Sequence, residues 1–416
     1  MNVRSRTCFS CFSESSSSVF LDHSNVLVGP FRLLKAYRAN ETVKMGAYSR
    51  WQWSALAVGI AVLGLWFAVG QTNLSSEQLP IDSANTSPIL SLGLSDEELT
   101  TCKIDRRTAF EQTAGPISIS HDPTEHPVIP KLSSANATAW EQWLFDGTSD
   151  AADSGILINF TRDPSYHFFR QRNLRVELFL ALDGRPMLRE LDFVDESVVA
   201  MCSTYIAGVW TAPGRAYRFD IRTDMSEATV RWATARSKGG FSVQSLTPPF
   251  LAKGPLWPNT EASARLSASC AFAQPIAGGR MQAVHDDTSG RKAISGTGGH
   301  TRIRAADGWF TFASGFNQIR ATAGPYVVSY WQHKSREALT ADQTIQSAYL
   351  FKGGALLMKV AGDGSASVNE DNVSFKPDFG GSYFYITANM LWQWVLPGER
   401  IHQLHHVFIN ELVRLF

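Results

Sequence analysis

The chain has 416 residues, and Lys+Arg and Asp+Glu balance at 38 each, so composition offers no polybasic surface for nucleic acid or an anionic membrane. Charged residues make up only 18% and aromatics 11%, with 25 Phe and 12 Trp. That excludes a disordered chain and allows two domains with sizeable cores. Five cysteines are too few and too scattered for a disulfide-dense scaffold.

Residues 1–53 read as a poorly structured extension; its lone Cys8-x-x-Cys11 lacks the second pair a zinc site needs. Residues 54–70, SALAVGIAVLGLWFAVG, form an uninterrupted apolar run of about 17 residues, just long enough to span a bilayer as a helix. Lys44 and Arg50 precede it, and Ala68-Val69-Gly70 gives small residues at a signal-peptidase-like spacing. The run therefore reads as a signal peptide or signal anchor following Met45, and places the rest of the chain in the endomembrane system, membrane-anchored or secreted. Asn73, Asn85, Asn136, Asn159 and Asn372 stand in N-x-S/T contexts beyond it, although Asn159 falls inside a predicted strand. Residues 71–130, rich in Ser, Thr, Pro and Asp, read as a linker. Cys102, Cys202 and Cys270 leave room for one bridge and one free thiol, and the sequence does not pair them.

From Trp140 onward, alternating runs separated by turn signals predict an all-β chain. Residues 173–182 set Val176, Leu178 and Leu180 against Arg175, Glu177 and Phe179, and Asp183-Gly184 supplies a hairpin turn. Residues 217–223 alternate likewise, and Lys352-Gly353-Gly354 turns another hairpin. Prolines at 248, 249, 255 and 258 cannot donate to a ladder, so a first β-domain is expected over 131–255 and a second over 256–380. Residues 381–416 are an atypical tail, with a helix-like stretch over 399–416.

No G-x-S-x-G elbow, H-E-x-x-H pair, P-loop or G-x-G-x-x-G loop appears. His402, His405 and His406 sit in the atypical tail and are a poor metal site; His285-Asp286-Asp287 reads as a solvated turn. No cofactor or metal is expected, and any chemistry rests on shape, hydrogen bonding or acid–base catalysis. The most telling segment is 298–331, GGHTRIRAADGWFTFASGFNQIRATAGPYVVSYW, a β-pattern loaded with large aromatics and cations, as suits an apolar small-molecule site with a few polar groups. On its first strand His300, Arg302 and Arg304 share one face; His300 and Arg302 are candidate hydrogen-bonding partners for a substrate head group. Trp309, Arg320, Tyr326, Tyr330 and Trp331 are candidate binding residues. Glu190 and Asp192, two residues apart on one strand face, are candidate acid–base groups.

Several separated blocks resemble one family. SGILINFTRDPSYHFFRQRNLRVELFLALDGRPMLRELDFVDESV at 154–198, the Gly-Gly-His-x-Arg and Gly-Pro-Tyr segments of 298–331, NATAWEQWLFDG at 136–147 and the stretch 246–258 are similar to fungal Diels-Alderases over roughly 130–375. The family pattern has glycine at 301 and often tryptophan at 304, where this chain has Thr301 and Arg304. The resemblance implies two tandem lipocalin-like β-domains and a cofactor-independent intramolecular [4+2] cyclisation of a linear polyene polyketide or polyketide–amino acid hybrid. The family is also similar to bacterial hydroxyneurosporene synthases and to plant-defence hydratases of fungi, which implies an alkene hydratase using Glu190 or Asp192 as the runner-up. A lipocalin-like carrier of a hydrophobic metabolite stands beside it as a reading from a different class. The oligomeric state stays open.

Overall fold

The computed structural model describes residues 92–415 apart from 152, 165–171, 268–269, 309–311, 336–343, 364–365, 369–371, 376–382 and 396–401. The apolar run at 54–70 and the sequons at Asn73 and Asn85 lie outside the described residues.

A short helix α1 (Asp96–Thr101) precedes β1 (Lys103–Thr108), β2 (Trp140–Ser149), β3 (Gly155–Arg162), β4 (Leu174–Ala181), β5 (Leu188–Phe193), β6 (Glu196–Met201) and β7 (Tyr205–Ala212). Then come β8 (Arg215–Arg222), β9 (Glu227–Ala233), β10 (Ser237–Ser245), β11 (Phe250–Leu251), β12 (Cys270–Asp287), β13 (Gly290–Ala305), β14 (Ala313–Ala323), β15 (Tyr326–Ser335) and β16 (Thr344–Lys352). The last five strands are β17 (Ala355–Asp363), β18 (Ala366–Val368), β19 (Asn372–Phe375), β20 (Tyr383–Val395) and β21 (His402–Leu415). The all-β class is thus observed, and the Asp183-Gly184 hairpin turns with Gly184 at φ 70°, where a residue without Cβ is unstrained.

The first sheet has 13 strands in the order β1-β6-β7-β8-β9-β10-β12-β13-β2-β3-β4-β5, with β11 on β12. It curls on itself. Trp143 of β2 meets Trp210 of β7 at 5.3 Å between ring centroids, although β8, β9, β10, β12 and β13 stand between those strands in the sheet. The inward face is one core of Trp143, Phe145, Phe160, Trp210, Phe219 and Phe241 with aliphatic neighbours. Edge-to-face ring pairs such as Phe160–Trp210 at 5.2 Å each add about 0.5–1.5 kcal/mol beyond burial. The second sheet, β17-β16-β15-β14-β21-β20-β19-β18, has eight strands. A second core joins Phe250, Phe272, Phe312, Trp331, Tyr349 and Phe351.

Three expectations need correcting. The prolines do lie between β10 and β12, but the strands beyond them return to the first sheet. β12 pairs with β10 from Ser237↔Asp287 to Ser245↔Gly279, and β13 pairs with β2 from Gly296↔Ser149 to Ala305↔Trp140. A boundary at 255/256 therefore cuts through one hydrogen-bonded sheet, because main-chain pairing across a long connection leaves no local mark in the sequence. Residues 92–130 are no linker either. β1 pairs with β6, Cys102 and Cys202 form a disulfide, Val128 is fully buried, and the Trp143 indole donates to the Val128 carbonyl at 2.8 Å. In the tail, helix-like spacing gives way to a strand: β21 runs parallel to β14 and antiparallel to β20, so pairing overrides local propensity. Of the sequons, Asn136 and Asn159 have buried side chains. Asn159 bonds Glu177 and Asn136 caps its own turn through Thr138 and Ala139, which argues against a glycan on either.

Candidate active site

β13 carries the site because its two faces do different work. Its even face, His300, Arg302 and Arg304, is buried with residue exposures of 0%, 0% and 2%. It lies alongside Phe145, Trp143 and Glu141 of β2, its register partners. This cationic face is not solvated, since the sheet curls around it. His300 stacks on Phe145 at 4.2 Å and 14°, and the Arg302 guanidinium lies 3.6 Å from the Trp143 ring centroid, a cation–π contact in a dry setting.

Glu141 organises the cations. Its carboxylate accepts from Arg302 Nη2 at 2.9 Å, from Arg162 Nη1 at 3.3 Å and from the Lys131 main-chain N–H at 3.1 Å. Arg302 also donates to the carbonyls of Gln142 and Ile129, which leaves only its Nε–H without a partner among the described residues. Burial pulls the Arg302 pKa down to about 9, against the pull of Glu141; it remains a cation at neutral pH. Its donors are spent on the fold, so Arg302 positions the site and the expectation of a head-group contact shifts to its neighbours.

His300 is a neutral imidazole, burial holding its pKa down to about 3. Nδ1 sits 3.0 Å from the Leu144 carbonyl, an acceptor, so Nδ1 carries the proton and Nε2 offers a lone pair. Nε2 meets no partner among the described residues. His300 can therefore accept an N–H or O–H but cannot donate to a carbonyl. Between about pH 6.5 and 3 the unfolded histidine binds the proton and the folded one does not. His300 thus stabilises the fold fully above pH 6.5, and that contribution falls as pH drops, by at most about 1.4 kcal/mol per unit. His300→Phe is expected to flatten the loss of urea-unfolding stability between pH 7 and pH 5; an unchanged slope would remove His300 as its cause.

Two segments that the sequence presents as a linker and a domain break pack beside these residues. The stretch around 119–131 brings His126, whose Nε2 lies 2.9 Å from the Thr223 carbonyl, within electrostatic reach of His300. The proline connection brings Trp257, edge-on to His126 at 5.5 Å and joined to Pro258 by a cis peptide bond. The Trp257 indole N–H and the Nε and Nη1 of Arg304 have no partner among the described residues. Each is a buried donor left without such a partner beside the first core. Trp257 carried a signal in the sequence, a large aromatic between prolines; so did Glu141, a carboxylate on the same alternating face as Trp143 and Phe145.

The remaining candidates lie elsewhere. Arg320 faces the other side of β13 and fastens the two sheets. Its Nε donates to the Ala277 carbonyl at 2.7 Å, and its Nη2 to Gln274 and Thr301 at 3.0 Å each. It also pairs with buried Asp146. A Cβ on Gly299 would stand 2.5 Å from Arg320 Nε, so this approach requires glycine. These contacts make Arg320 a brace and not a substrate ligand. Trp331 packs on Phe272 at 4.8 Å in the second core. Tyr330 is buried on the opposite face of β15, its hydroxyl unpartnered among the described residues. Tyr326 lies at the strand start, 5.3 Å from Lys352 Nζ, and Trp309 lies outside the described residues.

Glu190 and Asp192 do point into the first core: register steps link Glu190 to Leu178, Ile158, Phe145 and His300 in one row. They nevertheless form a separate group. Asp192 accepts from Arg215 at 3.2 Å and from the Tyr217 hydroxyl. Glu190 makes no hydrogen bond among the described residues, and burial, with Asp192 beside it, raises its pKa. No hydrogen bond or ion pair among the described residues joins this group to His300, Arg302 or Glu141.

A curled antiparallel sheet that encloses aromatic rings and a few buried polar groups defines a barrel-type protein for small hydrophobic molecules. A family model described as Diels-Alderase-like matches residues 99–391, and the chain belongs to that family. It is 37% identical over 330 residues to the Diels-Alderase mycB of Thermothelomyces thermophilus, covering 77% of this chain and 73% of that one. It is likewise 37% identical over 300 residues to the hexane cyclase pydB of an Acremonium species, covering 71% and 69%. Among solved structures, CghA with Sch210972 superposes with a TM-score of 0.59 at 20% identity, over 71% of this chain and 89% of that one. This likeness concerns the fold.

Proposed function

We propose that the protein is a Diels-Alderase, an intramolecular cyclase that closes a ring on a linear polyene polyketide or polyketide–amino acid hybrid without change of formula. The observation that carries the reading, beside the family, is the buried set of unpartnered polar groups against an aromatic interior. A tethered diene and dienophile need chiefly to be held in one reactive conformer, and such positioning contributes about 7–11 kcal/mol. In this reading the Trp257 indole N–H, without a partner among the described residues, polarises a dienophile carbonyl as charge develops on it. Neutral His300 accepts a proton donor of the head group, and Arg302 with Glu141 fastens the covering segment through the Ile129 carbonyl and the Lys131 N–H. No step needs a general base. Passage through the endomembrane system is part of the proposal. It is supported by the apolar run at 54–70 and by the Cys102–Cys202 disulfide, a bond typical of oxidising compartments.

Deleting the gene in its host and weighing the accumulated metabolites tests the reading. A precursor isomeric with the lost product is the expected result. A precursor lighter by one water would replace the cyclase with a hydratase, and an unchanged profile would favour a carrier.

A further inference from the structure

Arg304 differs from the other buried cations of the site. Arg302 is balanced by Glu141 at 2.9 Å, Arg162 by Asp105 at 2.6 Å and Lys131 by Glu125 at 2.6 Å. Arg304, 2% exposed, forms no ion pair among the described residues. Its Nη2 reaches the Ser120 carbonyl at a long 3.4 Å, and Nε and Nη1 donate to no described group. The two carboxylates that it feels are Glu141 and Glu125, and both are committed to other cations. Cys270 supplies no thiolate, since burial pushes its pKa up to about 12. Arg302 and Lys131, which interact with Arg304, are themselves cations, and His121 beside it offers no counter-charge, since burial together with Arg265 and Arg304 holds its pKa below the usual histidine value. Burial draws the Arg304 pKa down to about 10, so it stays charged near neutrality.

A guanidinium held dry without a counter-charge is costly, and an anion brought to it forms a short, strong charge-assisted hydrogen bond. We propose that Arg304 is a specificity-determining anion receptor, through which this site prefers polyenes bearing a carboxylate or enolate head group over their neutral counterparts. The inference rests on the polyene-cyclase reading above and deepens it.

The test is a fluorescence titration of the full chain with cis-parinaric acid, a linear tetraene carboxylate, and with its methyl ester, at mildly alkaline pH. The wild type is expected to bind the acid at least about tenfold more tightly than the ester. Arg304→Met should abolish that preference while leaving ester affinity in place, and Arg304→Lys should keep much of it. Equal affinity for acid and ester in the wild type would overturn the assignment and leave the cyclase reading standing. So would a preference that survives in Arg304→Met. Failure of both ligands to bind would instead remove the polyene-binding reading, and the proposal with it. Should Arg304→Met fold poorly by circular dichroism, the wild-type ratio and Arg304→Lys decide the matter.

Discussion

Glu141→Leu is expected to destabilise the protein by about 3–5 kcal/mol, the usual consequence of removing one partner from a buried ion pair. The carboxylate is 1% exposed and faces Arg302 at 0%, with Arg162 on its other oxygen. Without it, Arg302 keeps its stack on Trp143 and two carbonyl acceptors, which do not neutralise a charge. Urea unfolding of the single variant, of Arg302→Met and of the double variant separates the terms. The double variant should recover a large part of the loss, because two apolar side chains of similar volume leave no stranded charge. A single-variant cost under about 1 kcal/mol would mean that the ring and carbonyls suffice.

The second large effect concerns Cys202→Ser. The disulfide closes a loop with a sequence separation of 100, for which chain entropy predicts up to about 4.7 kcal/mol. The bond follows α1 directly and so anchors the whole stretch that later supplies His126 and Lys131. Part of the anchorage survives its loss. Glu98 of α1 accepts from Arg218 at 2.5 Å and from the Tyr205 hydroxyl at 2.9 Å. Melting temperature should fall clearly in the variant and in reduced wild type alike, and amide exchange should rise most between residues 92 and 131. Equal melting with and without reductant would show that Glu98 and the β1–β6 pairing hold the segment without the bond.

Strands and hairpins were legible because alternation and turn residues are local properties. The Asp183-Gly184 turn and the shared face of His300, Arg302 and Arg304 needed nothing beyond period two. What that face meets was not legible. Its burial depends on β13 lying beside β2, some 150 residues earlier in the chain, and on a cover segment whose polar groups find partners such as the Thr223 carbonyl far away in sequence. The same limit explains Arg320. On paper it is a cation in an aromatic-rich strand; in the fold its donors meet Ala277, Gln274 and Thr301 on strands of the other sheet. Strands β3 and β4 are buried on both faces, so polar alternation there did not mark solvent. Arg175, Asp163 and Glu177 instead pair with one another in the interior.

The long strands β12 and β13 carry a consequence for recombination among relatives. Their ends near Cys270 and Ala305 belong to the second core, while Met281, Ala283 and Ile294 belong to the first. A chimera spliced at the proline connection would graft foreign staves into the first barrel along two seams, β10 against β12 and β2 against β13. Its two cores would then melt as one mismatched body. Crossovers placed between β13 and β14 instead would leave the donor barrel with all of its own staves.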